Sequence, residues 1–258
     1  MRTWTPLLGL VALAAVGLAW NGAEDGETEV SAEPYAGTWA QLRVQTAVAD
    51  VPVLGHLRVK TTTILRLRMY PSGHNLSVAV EACSMEQDAG IPLLKVRFPE
   101  DLVRRAGRFE TSASLRREGD GVQFFQPRRW LVFGAHLEDE DADALPTDGA
   151  DERVWDQDED GHPGVTVEVR GLLDADLYLV QRSWTSLRGT VAGTDRIDGR
   201  IQWSEDHAVL GSTSSLLSSL PPSTPDPDPE ASTFRTTRID GDLDCAEIVA
   251  QRDTLFAR

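Results

Sequence analysis

From Tyr35 onward the chain alternates apolar and polar residues with a period near two, in runs separated by turn residues. "GTWAQLRVQTAVA" (37–49) and "VPVLGHLRVKTTTILRLRMY" (51–70) are rich in β-branched residues, and Leu67 and Met69 are interleaved with Arg66 and Arg68. Successive strand side chains point to opposite faces, so this pattern predicts strands with one wet face. "PSGHN" (71–75) predicts a five-residue turn before "LSVAVEACSM" (76–85), which makes a hairpin.

Further on, "IPLLKVRFPEDLVRRAG" predicts a strand and then a helical turn opening at Pro99, with Glu100 and Asp101 suited to its first turn. In "GVQFFQPRRWLVFGAHL", Pro127 marks an edge strand or a bend, because proline cannot donate to a ladder. Three more strand patterns lie between residues 164 and 211. A Pro- and Ser-rich stretch, 211–232, predicts a mobile surface loop. "TFRTTRI" is a last strand, and Asp244 with Glu247 forms a capping-box start for a short helix whose Ile248, Val249, Leu255 and Phe256 share a face. Many strands, frequent turns and few helices predict an all-β fold, mainly an antiparallel barrel or sandwich, with a short C-terminal helix.

The first residues change where this fold is expected to work. Arg2 precedes an apolar run from Leu7 to Leu18, which reads as a secretory signal peptide over residues 1–22, with an acidic disordered tail over 23–34. The run is too short to span a bilayer, so no membrane span is expected in the mature chain, which is placed in the periplasm or outside the cell. Cys83 and Cys245 are the two cysteines, and in an oxidising compartment the simplest reading is one disulfide. It would tie the first half of the chain to its last element, which favours one domain over residues 35–258.

Charge is concentrated. Residues 138–160 hold twelve acidic residues against one arginine, and residues 24–33 hold five acidic residues and no basic one, which accounts for the whole net charge of −16. The body is therefore electroneutral and lacks the basic surface that a nucleic-acid partner needs. A cation is the natural partner of an acidic loop at 138–162; the alternative is a solvated connector.

Within that loop, "DQDEDGHPG" sets Asp156, Asp158 and Asp160 at alternate positions before Gly161. Calcium takes six to eight hard oxygens, and a chain curling round one ion presents every second side chain inward. Gly161 suits the sharp turn, and His162 would contribute its backbone carbonyl, since imidazole is a poor calcium ligand. Asp151 or Glu152 would complete the shell. The spacing resembles the start of the calcium loops of EF-hands, dockerins and thrombospondin type 3 repeats, but the twelfth position is Val167 rather than Glu and strands replace the flanking helices, so a true EF-hand is excluded.

Two further resemblances follow from short motifs. The segment 145–169, with its Pro163–Gly164–Val165–Thr166 ending, resembles one found in uncharacterised exported bacterial β-rich proteins, and two lysines against twenty-three arginines fit a GC-rich genome. "YAGTW" (35–39) resembles the G-x-W that opens the first strand of lipocalin-like barrels, with Gly37 and Trp39 in the matching places. That pattern calls for an arginine covering the indole, which the sequence does not single out. It also implies a cavity, for which Trp39, Phe124, Phe125, Trp130 and Phe133 are the candidate lining, although such a stripe is more often core.

No H-E-x-x-H, G-x-S-x-G, P-loop or G-x-G-x-x-G occurs, and no catalytic residue is singled out. The expectation is an exported β-rich binding or envelope-associated module with structural calcium. The alternatives are a lipocalin-like carrier of a small apolar ligand and a secreted hydrolase, and the partner beyond calcium is left open among a protein, a glycan and a small apolar ligand.

Overall fold

Alternation sustained over long stretches produces long strands: β1, Gly37–Val51, and β2, Gly55–Ser72, pair along their whole lengths. The computed structural model describes residues 30–51, 55–91, 94–99, 102–103, 107–171, 174–239, 241 and 243–257. The expected signal peptide and the acidic residues before Val30 lie outside this set.

The remaining strands are β3 (Asn75–Asp88), β4 (Leu94–Arg97), β5 (Arg108–Glu118), β6 (Gly121–Phe133), β7 (Val165–Gly171), β8 (Ala175–Ala192), β9 (Arg196–Ser212), β10 (Thr224–Pro225) and β11 (Thr233–Arg238). All pairings are antiparallel. Following them in space, β1, β2, β3, β5, β6, β8, β9 and β11 form a ring, because β11 pairs with β1. The barrel alternative is therefore the fold, and the sandwich is not. Closure gives every strand of this ring a partner on each side over at least part of its length, which is how all-β proteins limit unpaired edges. At one end β3 and β8 outrun β5 and β6, and there β4 and β7 bridge them instead.

The interior is filled from alternate positions. Trp39, Leu67, Met69, Leu76, Phe124, Leu187, Ile197 and Phe234 belong to one buried cluster. One cross-strand row shows how tight it is. Phe124, Gly189, Gly199 and Phe234 are register neighbours across β6, β8, β9 and β11, and the two rings meet at 6.0 Å over the glycines between them. A Cβ on Gly199 would lie 2.6 Å from the Phe234 ring and 2.2 Å from the Arg188 carbonyl. A second cluster, around Val165, Val167, Leu177 and Leu179, fills the end walled by β4 and β7.

Ala40 and Ile64 lie on the opposite strand face, where they pack with Ile239, Ile248 and Phe256. This places the terminal helices α1 (Cys245–Ala250) and α2 (Arg252–Leu255) against the outside of the barrel. The capping box at Asp244 and Glu247 forms as expected. A disulfide joins Cys83 of β3 to Cys245, closing a sequence separation of 162 residues. Arg235 donates to the carbonyls of Phe256 and Ala257, and Thr237 to that of Leu255.

Several local expectations are corrected. The hairpin turn is tighter than five residues, because Pro71 pairs with Leu76 and Ser72 with Asn75, leaving Gly73 and His74 as the turn. Residues 30–34, the described part of the tail expected over 23–34, pack on the body: Val30 and Ala32 are buried in the barrel cluster, and Glu33 opens a 3-10 turn that ends at Tyr35. The Pro- and Ser-rich stretch, expected as a surface loop, lies against the barrel. Thr224 and Pro225 pair with β1, Asp226 binds Arg58 at 2.6 Å, and Leu217 and Leu220 pack on the second cluster. Pro127, by contrast, behaves as expected: it marks a bulge in β6, past which β6 keeps β8 but no longer pairs with β5.

Candidate functional site

The acidic loop runs from Gly134 to Gly164, and its exit is shaped by backbone that few residues adopt. Gly161 and Gly164 have φ of 87° and 86°, and Glu159 has φ 60°. A Cβ on Gly164 would sit 2.4 Å from the Leu179 carbonyl of β8, so only glycine lets the loop dock there. Gln157 clamps the loop twice: its side-chain oxygen accepts from the Gly134 N–H at 2.7 Å and its own N–H donates to the Gly164 carbonyl at 3.0 Å.

These constraints bring Asp156, Asp158 and Asp160 together, with one carboxylate oxygen from each within 4.8 Å of the others. Asp156 accepts from the N–H groups of Asp160 and Gly161 at 3.1 and 2.8 Å. Asp158 Oδ2 accepts from the Thr166 N–H at 2.8 Å, and Asp160 accepts from the His162 N–H at 2.9 Å and from the Thr166 hydroxyl. Asp158 Oδ1 is buried with no partner among the described residues. Loop, strand β7 and carboxylates are thus one unit, joined at Thr166.

The electrostatics differ along the triad. Burial would raise the Asp156 carboxyl, but the N–H donors of Gly161, Asp160 and Glu159 outweigh it and hold the group below its ordinary value. Asp158 is pushed up, first by burial and then by the charges of Asp160 and Asp156, against the pull of the Thr166 N–H. At an effective dielectric near 20, two carboxylates about 5 Å apart repel by about 3 kcal/mol, less where water reaches them. A divalent cation removes that repulsion.

Asp151 does not join the triad. Arg153 holds it through paired bonds of 3.0 and 2.7 Å, and that guanidinium pulls its carboxyl down to about 2. Glu152 is exposed and also outside the triad. The His162 ring stacks on Tyr178 of β8, centroids 4.0 Å apart.

The five aromatic residues expected to line one cavity are separated. Trp39 and Phe124 are buried in the main cluster, whereas Phe133 packs on the second. Phe125 is 37% exposed beneath Arg188. Trp130 pairs with Trp184 and carries Arg128 and Arg182 over its ring. Strand alternation and the bulge at Pro127 send neighbours in this run to different faces.

Two arrangements were missed in the sequence. Arg238, at the end of β11, lies with its guanidinium 4.5 Å from the centre of the Trp39 ring. The second is a polar layer inside the barrel. Gln41 and Arg43 follow Trp39 on the inward face of β1; Gln41 donates to Thr236 Oγ1 at 2.7 Å and accepts from Arg43 Nε at 2.6 Å. Gln126 and Arg129 lie in β6, the latter with its guanidinium 3.7 Å from the Phe109 ring centre. Arg43 is pushed down to about 10, first by burial and then by the charge of Arg129. Two polar residues at alternate positions after an inward tryptophan were the available signal for this layer.

Among the described residues no helix is long and apolar enough to cross a membrane. Comparison of the chain with protein-family models, with curated proteins and with solved structures finds no match.

Proposed function

We propose that this chain is an exported β-barrel binding protein whose acidic loop is held by structural calcium. Asp156, Asp158 and Asp160 supply the carboxylates, with the His162 carbonyl and water completing the shell. The observation that carries this reading is the convergence of three carboxylates within 4.8 Å on backbone fixed by Gly164 and Thr166. Oxygen-only ligands suit calcium better than zinc or copper, which favour nitrogen and sulfur. The ion's role is stability: it ties the loop to the start of β7, and so to β8.

Thermal melts with calcium and with chelator test this. Calcium is expected to raise the melting temperature of the parent protein, and Asp158→Asn with Asp160→Asn to abolish the increment. Identical melts of the parent with and without calcium would sink the proposal.

A second reading, a carrier of a small ligand inside the barrel, is favoured by one observation. The ring closes with Trp39 beneath Arg238 at its end. That supports the resemblance to lipocalin-like barrels carried by Gly37 and Trp39. Quenching of tryptophan fluorescence by added ligands tests it.

A further inference from the structure

The ring of strands is split on one side. β5 accompanies β6 only as far as the Ser114–Phe125 pair, and before Ser114 it pairs with β3 alone. β6 runs on to Phe133 with β8 on one side, and among the described residues no strand pairs with Arg129–Phe133 on the other. In an antiparallel ladder alternate residues turn their N–H and C=O groups to opposite neighbours, so every second residue of this stretch presents a donor and an acceptor away from β8. Phe98, Leu102 and Val103, which come between β4 and β5 in sequence, pack on the interior clusters. The side chains tell the same story as the backbone. Gln126, before the split, is 2% exposed, whereas Trp130, Leu131, Val132 and Phe133 are all only half-buried. An apolar run on an unpaired edge is a template for another strand.

The charges along this edge select the strand. Arg128 and Arg129 stand at its beginning, and β6 contains no acidic residue. The acidic loop stands at its other end: Arg182, the cross-strand neighbour of Val132, donates to the carbonyls of Glu140, Asp141 and Asp143, and the side chains of Glu138 to Asp141 are exposed. An edge that is basic at one end and acidic at the other complements itself when a second copy runs antiparallel to it. A parallel copy would set arginine against arginine, and like charges directly opposite are destabilising.

We propose that the open edge of β6 is a docking surface for a second copy of this chain, paired antiparallel about a two-fold axis at Leu131. Arg129 of each copy then lies opposite Phe133 of the other, and Trp130 opposite Val132, aromatic and β-branched pairs of the kind that stabilise sheets. Arg128 of each copy meets the other's acidic loop. The interface is isologous and closes after two copies, which covers the edge without building a fibre. The seam uses no residue of the aspartate triad, so its failure leaves the calcium reading untouched.

Sedimentation velocity of the full chain, disulfide intact, over a roughly hundredfold range of concentration tests it, because mass action makes a dimer concentration-dependent. The chain is expected to pass from monomer to dimer, with amide hydrogen exchange at residues 129–133 slowing in step. Arg128→Glu should weaken the dimer by about tenfold or more, since glutamate meets the partner's acidic loop, and added salt should weaken the parent dimer. A blocked synthetic peptide spanning residues 128–134 should dissociate it. Arg128 is exposed, so its variant is expected to fold, and the exchange measurement needs no variant. A chain that stays monomeric throughout and ignores the peptide would overturn the proposal. So would a dimer that is indifferent to Arg128→Glu and slows exchange elsewhere. A monomer that binds the peptide with protection of the same amides would overturn the second copy as occupant and show an edge open to another strand.

Discussion

Arg238 covers Trp39: its guanidinium lies 4.5 Å from the ring centre while its nitrogens donate to the carbonyls of Ala36, Pro34 and Thr194. The indole N–H in turn donates to the Tyr35 carbonyl at 3.0 Å. One residue at the end of the last strand thereby locks the turn before the first strand, the first strand itself and the β8–β9 turn. Gly37 is part of the same lock, since its φ is 132° and a Cβ there would be 2.8 Å from Arg238 Nη1.

Arg238→Met is expected to lower stability by about 2 kcal/mol, the loss of charged hydrogen bonds and of a cation–π contact. Arg238→Lys should recover little, because an ammonium cannot spread over three carbonyls and stack as a plane does. Urea unfolding followed by tryptophan fluorescence measures both, and a lysine variant as stable as the parent would refute the planar-fork account.

Gly199→Ala is expected to cost about 2 kcal/mol or more, because the added methyl meets backbone on β8 and the Phe234 ring on β11. Gly73→Ala, where nothing lies within 4 Å but φ is 61°, should cost only about 1 kcal/mol. Chemical denaturation of the two variants side by side checks the ordering.

Reducing the Cys83–Cys245 bridge releases a separation of 162 residues, for which loop-closure entropy gives about 5 kcal/mol as an upper value. Cys83→Ser with Cys245→Ser should therefore lower the urea midpoint sharply. It should also raise hydrogen exchange in α1 first, because Cys245 opens that helix and the bridge is its covalent tie to β3. Exchange that rises uniformly along the chain would contradict this order.

Asp198 gives a pH test. Burial opposes its charge, but bonds from Arg235 at 2.7 Å and Arg196 at 2.5 Å prevail and depress its carboxyl. A depressed acid contributes stability above its unfolded value, near 3.9, and loses that contribution as pH falls through the lower folded value. The parent should thus exceed Asp198→Asn in stability at pH 7, and the gap should shrink below about pH 4. A gap constant from pH 7 to pH 2.5 would mean that charge plays no part.

Much of this molecule was legible in its residues. Strand positions, the cap at Asp244 and Glu247, the pairing of the two cysteines and the cluster of alternate aspartates all depend on neighbours in sequence or on a unique partner. Period two and a capping box are local geometry, and two cysteines allow one bridge. The D-x-D-x-D-G string converges because its own turn residues curl it.

What the sequence left open was decided by which strands meet. Whether twisted strands close on themselves depends on β11 reaching β1, residues nearly two hundred apart, and no local pattern encodes that. The same closure chose Arg238 from among twenty-three arginines to cover Trp39. It scattered the aromatic run of β6 between two clusters and the surface, because a bulge and strand alternation set each side chain's direction. It also joined Gln41 of β1 to Thr236 of β11 inside the barrel, a meeting that exists only once the ring is closed.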